Sequence, residues 1–157
     1  MSLEVSRAVE GLGLGGPPER AGADAAGAAA PRPAAPRRVL VVDDNRDAAE
    51  ALAMLLSRSG HAVETAHDGP AALAAAAAFR PDAVLLDIGL PGLDGYEVCR
   101  RLRRSRGEGL LVVAITGYGQ GSDAEASRRA GFDHHLVKPV DVRRLEELVA
   151  AAPSGVA

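Results

Sequence analysis

The segment from residue 82 to residue 95, DAVLLDIGLPGLDG, constrains the fold more than any other part of this sequence. Four apolar residues lead directly to the carboxylate of Asp87, and a turn rich in glycine and proline follows. A short apolar run bounded by turn formers is typical of a strand buried on both faces of a parallel sheet. Asp87 would then lie at the carboxyl edge of the sheet, where ligands bind in open α/β folds. The alternative is that Asp87 only caps the following turn.

Further apolar runs alternate with helical periodicity along the chain. The predicted strands cover residues 39–42, 62–66, 83–87, 110–115 and 135–137. The predicted helices follow them, from residue 46 to the stop at Gly60 and over residues 69–79, 96–104, 122–130 and 142–151. Most of these strands lack internal charge, which indicates a parallel sheet with helices on both faces. Right-handed crossovers then favour an α/β, doubly wound, five-stranded sheet of the flavodoxin-like kind.

Residues 1–36 differ in composition from the rest, since most of them are glycine, alanine and proline. Such a segment buries too little apolar surface to offset the entropy of ordering it, so we predict a disordered, low-complexity tail or linker. One domain is predicted over residues 37–152 and a short tail over residues 153–157. The glycines of residues 11–16 could form a phosphate loop, but no strand precedes them and no helix clearly follows.

The charge balance and the single cysteine exclude several kinds of protein. A net charge of -3 gives no reason to expect nucleic acid or a membrane surface as the main partner. Cys99 alone cannot form an internal disulfide, and we expect it to pack as a small apolar residue in a helix. No apolar run approaches the roughly 20 residues of a membrane span, and no signal peptide is evident, so we expect a cytoplasmic protein.

A basic cluster lies in the helix predicted over residues 96–104. Its members are Arg100, Arg101, Arg103 and Arg104. These side chains could contact phosphate groups. We favour a solvated face instead, because positive charge also suits the carboxyl end of a helix.

Polar residues end four of the five predicted strands. Asp43 and Asp44 follow the first strand, Asp87 ends the third, Thr116 the fourth and Lys138 the fifth. Because the carboxyl ends of parallel strands meet at one edge, we expect these side chains to converge. Lys138 is the only lysine in a chain with 18 basic residues, which argues against an incidental surface position.

The chemistry of such a cluster follows from its charges. Three neighbouring carboxylates repel one another and raise at least one pKa unless a cation lies among them. Mg²⁺ prefers oxygen ligands, keeps several waters and also binds phosphate. A carboxylate beside it can attack a phosphoryl group and form an acyl phosphate. Lys138 and the hydroxyl of Thr116 could then stabilise the transferring oxygens.

Four motifs closely resemble the receiver domain of two-component response regulators. They are VLVVDDN at residues 39–45, LLDIGLPGLDGYEV at 85–98, AITGYG at 114–119 and LVKP at 136–139. The resemblance covers about residues 37–151 and implies the (βα)5 receiver fold. Residues 66–73 and 131–141 resemble in particular the receivers at the carboxyl end of hybrid sensor histidine kinases, so the chain could be a stand-alone receiver or a piece of a larger protein.

The resemblance implies a role for each acidic residue of the cluster. Asp87 would be the phosphoacceptor. Asp44 and Asp87 would bind Mg²⁺ directly, together with the backbone carbonyl of Gly89, and Asp43 would act mainly through a bound water. Gly89 offers no side chain to orient water and Tyr118 could shield the site, so we expect a fairly long-lived phosphoryl state.

The resemblance also implies a switch, and here the sequence departs from the common pattern. Thr116 would move to the phosphoryl group, and Lys138 would pair with that group. His135 stands where the family usually has tyrosine or phenylalanine, the ring that turns inward with the hydroxyl. His134 and His135 could instead bind a transition metal, although no third ligand lies nearby in the sequence.

The function implied is that of a signalling module and not of an enzyme. It would take a phosphoryl group from a sensor histidine kinase or a histidine phosphotransfer protein and change the face of residues 122–151 for a downstream target or an excised neighbouring domain. One alternative is a Mg²⁺-dependent phosphatase with an aspartyl phosphate intermediate. Such enzymes usually need a second carboxylate two residues after the nucleophile, where this chain has Gly89. A receiver that only binds is a third reading, which the complete acidic set disfavours.

Overall fold

The computed structural model describes residues 36–117 and 124–153. Five strands alternate with five helices in this part of the chain. In chain order they are β1 (Arg38–Val42), α1 (Arg46–Arg58), β2 (Ala62–Ala66), α2 (Gly69–Phe79), β3 (Ala83–Asp87), α3 (Gly95–Arg106), β4 (Leu111–Thr116), α4 (Ala124–Ala130), β5 (His134–Val137) and α5 (Val142–Ala150). A single 3₁₀ turn, Gly107–Gly109, joins α3 to β4. Of the predicted tails, residues 1–35 and 154–157 lie outside the described residues.

The strands form one parallel sheet in the order β2-β1-β3-β4-β5. This order confirms the doubly wound, flavodoxin-like prediction, and β2 is an edge strand with alternating exposure. The register pairs Val42 with Leu86 and Asp87 with Ile115, so the last residues of neighbouring strands lie side by side. The polar residues that end the strands are therefore delivered to one edge.

The three inner strands, β1, β3 and β4, bury side chains on both faces of the sheet. Leu40 and Val42 belong to one apolar cluster, whereas Val39 and Val41 belong to the other. Helices α2 and α3 cover the first face, and α1 and α5 cover the second. Each fully buried leucine or valine contributes about 1.5–3 kcal/mol through the apolar surface that it removes from water. Cys99 is fully buried in the first cluster, which confirms its predicted role.

Helix starts follow from side-chain caps. Asn45, Asp68, Asp94 and Asp141 each accept a hydrogen bond from a backbone N–H in the first turn of the helix that they precede. Such caps typically contribute about 1 kcal/mol each. They fix where the chain leaves the sheet edge and enters each helix, and so they fix the loops that carry the polar residues.

The helix boundaries differ from the predictions by small amounts. Helix α3 extends one residue earlier and two residues later than predicted, because Asp94 caps its start and Gly107 ends it with a positive φ of 65°. The buried residues of α1 are Ala49 and Leu56. Strand β4 includes Thr116. None of the helices in the described part of the chain is long and apolar enough to cross a membrane.

Candidate functional site

The three predicted carboxylates converge at the carboxyl edge of the sheet. Asp43 directly follows β1, and Asp87 is the last residue of the neighbouring strand β3. One oxygen from each of Asp43, Asp44 and Asp87 lies within 4.8 Å of the others. Asp43 and Asp87 are 3% and 7% exposed, whereas Asp44 is exposed to solvent. The cluster is thus partly buried and open on the side of Asp44.

The ammonium group of Lys138 lies within this acidic cluster. Its Nζ donates to Asp43 Oδ2 at 3.0 Å and lies 3.9 Å from Asp87 Oδ2. Burial alone would lower the pKa of Lys138, but the hydrogen bond to Asp43 and the nearby negative charges outweigh it and raise that pKa. The backbone N–H of Lys138 donates to the carbonyl of Thr116 at 2.7 Å, and the Lys138–Pro139 peptide bond is cis.

The surroundings of Asp87 disfavour the ionised form of its carboxyl group. Burial raises its pKa, and the charge of Asp43 raises it further. The backbone N–H of Gly89, which donates to Asp87 Oδ1 at 2.9 Å, and the charge of Lys138 act in the opposite direction and are outweighed. Added positive charge at this carboxylate is therefore favourable.

The hydroxyl of Thr116, at the end of β4, contacts the ring of His135 in the neighbouring strand β5. Thr116 Oγ1 lies 3.1 Å from His135 Nε2, and Thr116 is 2% exposed. The residue in the predicted aromatic position is therefore in contact with the predicted switch hydroxyl. Among the described residues, the acidic cluster is the only group of three or more side chains arranged to hold a metal ion, and neither His134 nor His135 belongs to it. Tyr118 lies outside the described residues.

Two residues next to the cluster were not predicted. His67 Nδ1 lies 3.0 Å from the backbone oxygen of Asp43. His67 directly follows β2. Because polar residues at the carboxyl ends of parallel strands meet at one edge, its place near the cluster could have been predicted from the sequence. Gly95, the first residue of α3, packs so closely on the turn after β3 that a Cβ there would lie 2.7 Å from the Cα of Ile88. No sequence pattern signals that approach.

The comparison with known proteins decides the family. The family model of the response regulator receiver domain matches residues 39–150 of this chain. The chain belongs to the response regulator receiver domain family. It is therefore a receiver domain of two-component signalling, as its four motifs predicted.

Named relatives agree with this assignment. The response regulator MprA of Mycobacterium avium (strain 104) is 48% identical over 113 residues, which cover 72% of this chain and 48% of the relative. MprA of Mycobacterium tuberculosis (strain CDC 1551 / Oshkosh) is 47% identical over 113 residues, which cover 72% of this chain and 47% of the relative. This receiver thus spans about half the length of the curated relatives that it matches. Its resemblance to hybrid kinase receivers stays a prediction.

Solved structures share the fold. NtrX from Brucella abortus is 36% identical with a TM-score of 0.69, and the match covers 75% of this chain and 27% of NtrX. A putative response regulator from Chloroflexus aurantiacus is 33% identical with a TM-score of 0.66, and the match covers 74% of this chain and 99% of that protein. The receiver therefore has the five-stranded architecture of these proteins.

The donor set of the receiver's acidic cluster fits a hard divalent cation. Carboxylate oxygens are the ligands that Mg²⁺ prefers, and the exposed side of Asp44 leaves room for the waters that this ion retains. Burial and the charge of Asp43 raise the pKa of Asp87, and a divalent charge would counteract both effects.

Proposed function

We propose that this receiver accepts a phosphoryl group on Asp87 from a phosphohistidine of a sensor histidine kinase or a histidine phosphotransfer protein. The observation that carries the proposal is the position of Asp87 at the sheet edge, within 4.8 Å of two further carboxylates and 3.9 Å from the ammonium of Lys138. A nucleophile, a cation and a candidate metal site then meet at one place, which is the set of groups that phosphoryl transfer needs.

In this transfer, a carboxylate oxygen of Asp87 attacks the phosphorus of the phosphohistidine. A P–O bond to Asp87 forms as the P–N bond breaks, and the histidine nitrogen keeps the electron pair of the broken bond. Asp44, Asp87 and the backbone carbonyl of Gly89 would hold Mg²⁺, with Asp43 acting mainly through water. The ion supplies positive charge to the phosphoryl oxygens. Lys138 supplies a second positive charge, 3.9 Å from Asp87.

The response would begin at Thr116. Its hydroxyl, now in contact with His135, would turn to donate to a phosphoryl oxygen, and His135 would follow. The change would reach the face made by α4, β5 and α5, where a downstream protein or a neighbouring domain would read it. This is the work of a cytoplasmic signalling module. Gly89 stands where an aspartyl-phosphate phosphatase would need its second carboxylate, and this disfavours the enzyme alternative.

The test is phosphorylation of the purified chain by acetyl phosphate and Mg²⁺, followed by intact-mass measurement. We expect a gain of one phosphoryl group that is absent with EDTA and absent in Asp87→Ala. The matched control is Asp47→Ala, which removes an exposed aspartate of α1 and should still be phosphorylated. Labelling of a folded Asp87→Ala variant to the same extent as the unchanged protein would refute the assignment of the acceptor.

A further inference from the structure

A groove lies between the carboxyl ends of α3 and α4, and most of its charged side chains are arginines. Its volume is about 530 Å³. The lining includes five arginines and a single carboxylate, namely Arg100, Arg103, Arg104, Arg128, Arg129 and Asp133. Helix α3 ends just before β4 begins, and α4 ends just before β5 begins. The groove therefore lies at the amino edge of the sheet, opposite the edge that carries Asp87.

Arg103 lines the groove and connects the end of α3 to the segment that follows α4. Its guanidinium group pairs with Asp133 at 2.6 Å and donates to the carbonyl oxygens of Gly131 and Gly107, each at 2.8 Å. Carbonyl groups at helix ends carry partial negative charge that would repel an anion. Because Arg103 binds these oxygens, it reduces that repulsion while its own charge is balanced by Asp133.

Among the side chains that the structure describes, acidic groups compensate the other arginines only in part. Arg128 and Arg129 are exposed, and neither forms an ion pair with any residue in the described part of the chain. Arg104 reaches Glu97 only at 3.5 Å, and that carboxylate also accepts closer contacts from Arg100 and Arg101, at 3.1 and 2.9 Å. Arginines from two helices thus face one groove with a local excess of positive charge, although the whole chain has a net charge of -3.

The size and chemistry of the groove select a class of ligand. Its volume falls within the roughly 300–1,000 Å³ of small-molecule sites. Guanidinium groups bind phosphate through two parallel hydrogen bonds, and a ligand with several linked phosphates can contact arginines of both helices at once. We propose that this groove binds a chain of linked phosphates, carried either by a nucleoside triphosphate or by inorganic triphosphate. Binding here is independent of the function proposed for Asp87.

The test is isothermal titration of the full chain with ATP and, separately, with inorganic triphosphate. The buffer is free of divalent metal at about 100 mM salt, so that no Mg²⁺ can attach phosphate to the acidic cluster and non-specific attraction is screened. Arg104→Gln/Arg128→Gln removes one exposed arginine from each helix of the groove. Arg58→Gln/Arg143→Gln removes two exposed arginines outside it, on α1 and α5.

We expect saturable binding of at least one probe, about tenfold weaker in Arg104→Gln/Arg128→Gln and changed less than about twofold in the control variant. Tighter binding of ATP would identify the nucleotide as the ligand class, and equal or tighter binding of triphosphate would identify the phosphate chain alone. Absence of saturable binding for both probes would overturn the proposal. Equal losses in the two variants would also overturn it, because they would indicate only general charge attraction.

Discussion

The ammonium of Lys138 lies nearer to Asp43 than to Asp87, at 3.0 Å against 3.9 Å. The side chain of Asp43 is only 4% exposed, and water cannot replace that contact easily. Lys138 therefore balances the charge of the most buried carboxylate of the cluster. A divalent ion and Lys138 should then both balance the negative charge of the cluster. Loss of one should therefore increase the stabilisation that the other provides.

We predict that Lys138→Met destabilises the metal-free protein by about 1–3 kcal/mol, because Asp43 then keeps a buried charge without its cation. Added Mg²⁺ should raise the melting temperature of this variant more than that of the unchanged protein, since the ion replaces the missing charge. Thermal unfolding with and without Mg²⁺ measures both effects. Arg144→Met is the control, because the Arg144–Glu147 pair is exposed and spans 3.9 Å. An equal rise of the melting temperature with Mg²⁺ in all three proteins would show that the ion does not replace the charge of Lys138.

His61 supplies a pH dependence away from the acidic cluster. Its Nδ1 accepts a hydrogen bond from the backbone N–H of Arg37 at 3.0 Å, and the residue is 6% exposed. Burial lowers its pKa from the ordinary 6.5, the charge of Arg37 lowers it further, and Glu146 opposes this. The folded protein thus favours neutral His61. Its contribution to stability is present above pH 6.5 and decreases as the pH falls below that value, because the unfolded chain then binds a proton that the folded chain does not.

The corresponding experiment is urea unfolding at about pH 7.5 and about pH 5.5 for the unchanged protein and for His61→Gln. We expect the variant to lose less stability between the two pH values. A lower urea midpoint of the variant at the higher pH would separately measure the loss of the hydrogen bond from the backbone N–H of Arg37. The same loss on acidification in both proteins would show that other groups cause the pH dependence.

Helix α3 begins where its first residue touches the turn that follows Asp87. A Cβ at Gly95 would lie 2.7 Å from the Cα of Ile88 and 3.0 Å from the backbone oxygen of Asp87. Backbone atoms cannot turn away as a flexible side chain can, so the helix start and the turn must separate. The position of this helix is thereby coupled to the position of the proposed acceptor.

We predict that Gly95→Ala destabilises the protein by about 1–3 kcal/mol through overpacking and also slows its labelling by acetyl phosphate. Gly109→Ala is the matched control, because a Cβ at Gly109 has no atom within 4 Å. Urea unfolding and the rate of mass gain are the two measurements. Normal labelling and an unchanged midpoint in Gly95→Ala would show that the turn accommodates the methyl group.

The sheet and its polar edge could be predicted because one-dimensional patterns determine them. Uninterrupted apolar runs mark buried strands, and polar residues mark where these strands end, so Asp43, Asp87, Thr116 and Lys138 could be placed at one edge. The choice of Asp43 as the nearer partner of Lys138 depends on side-chain geometry, which strand patterns do not contain. The contacts of Arg103 with Gly107, Gly131 and Asp133 escaped prediction for the same reason.

Hydrogen bonds join the two ends of the receiver domain. The side chain of Arg37 donates to the carbonyl oxygens of Ala150 and Ala152 at 3.1 and 2.8 Å, and this links the start of β1 to the end of α5. The buried apolar residues that the structure describes all lie between residues 39 and 152. We therefore propose that residues 37–152 contain what the receiver needs to fold.

A chain limited to residues 36–153 should keep the unfolding midpoint and the phosphoryl labelling of the full chain. A chain limited to residues 44–153 is the control. It lacks β1, which pairs with both β2 and β3, and it should lose cooperative unfolding. Urea unfolding followed by circular dichroism separates the two outcomes. A clearly lower midpoint for residues 36–153 would show that residues 1–35 or residues 154–157 stabilise the fold.

The contact between Asp43 and Lys138 joins positions that are 95 residues apart. During synthesis, Asp43 and Asp44 leave the ribosome well before Lys138. A nascent chain therefore holds its carboxylates without their ammonium until β5 has emerged and joined the sheet edge. A ribosome that stalls before that point presents a receiver with an incomplete cluster, so the charge-balanced site marks translation through β5.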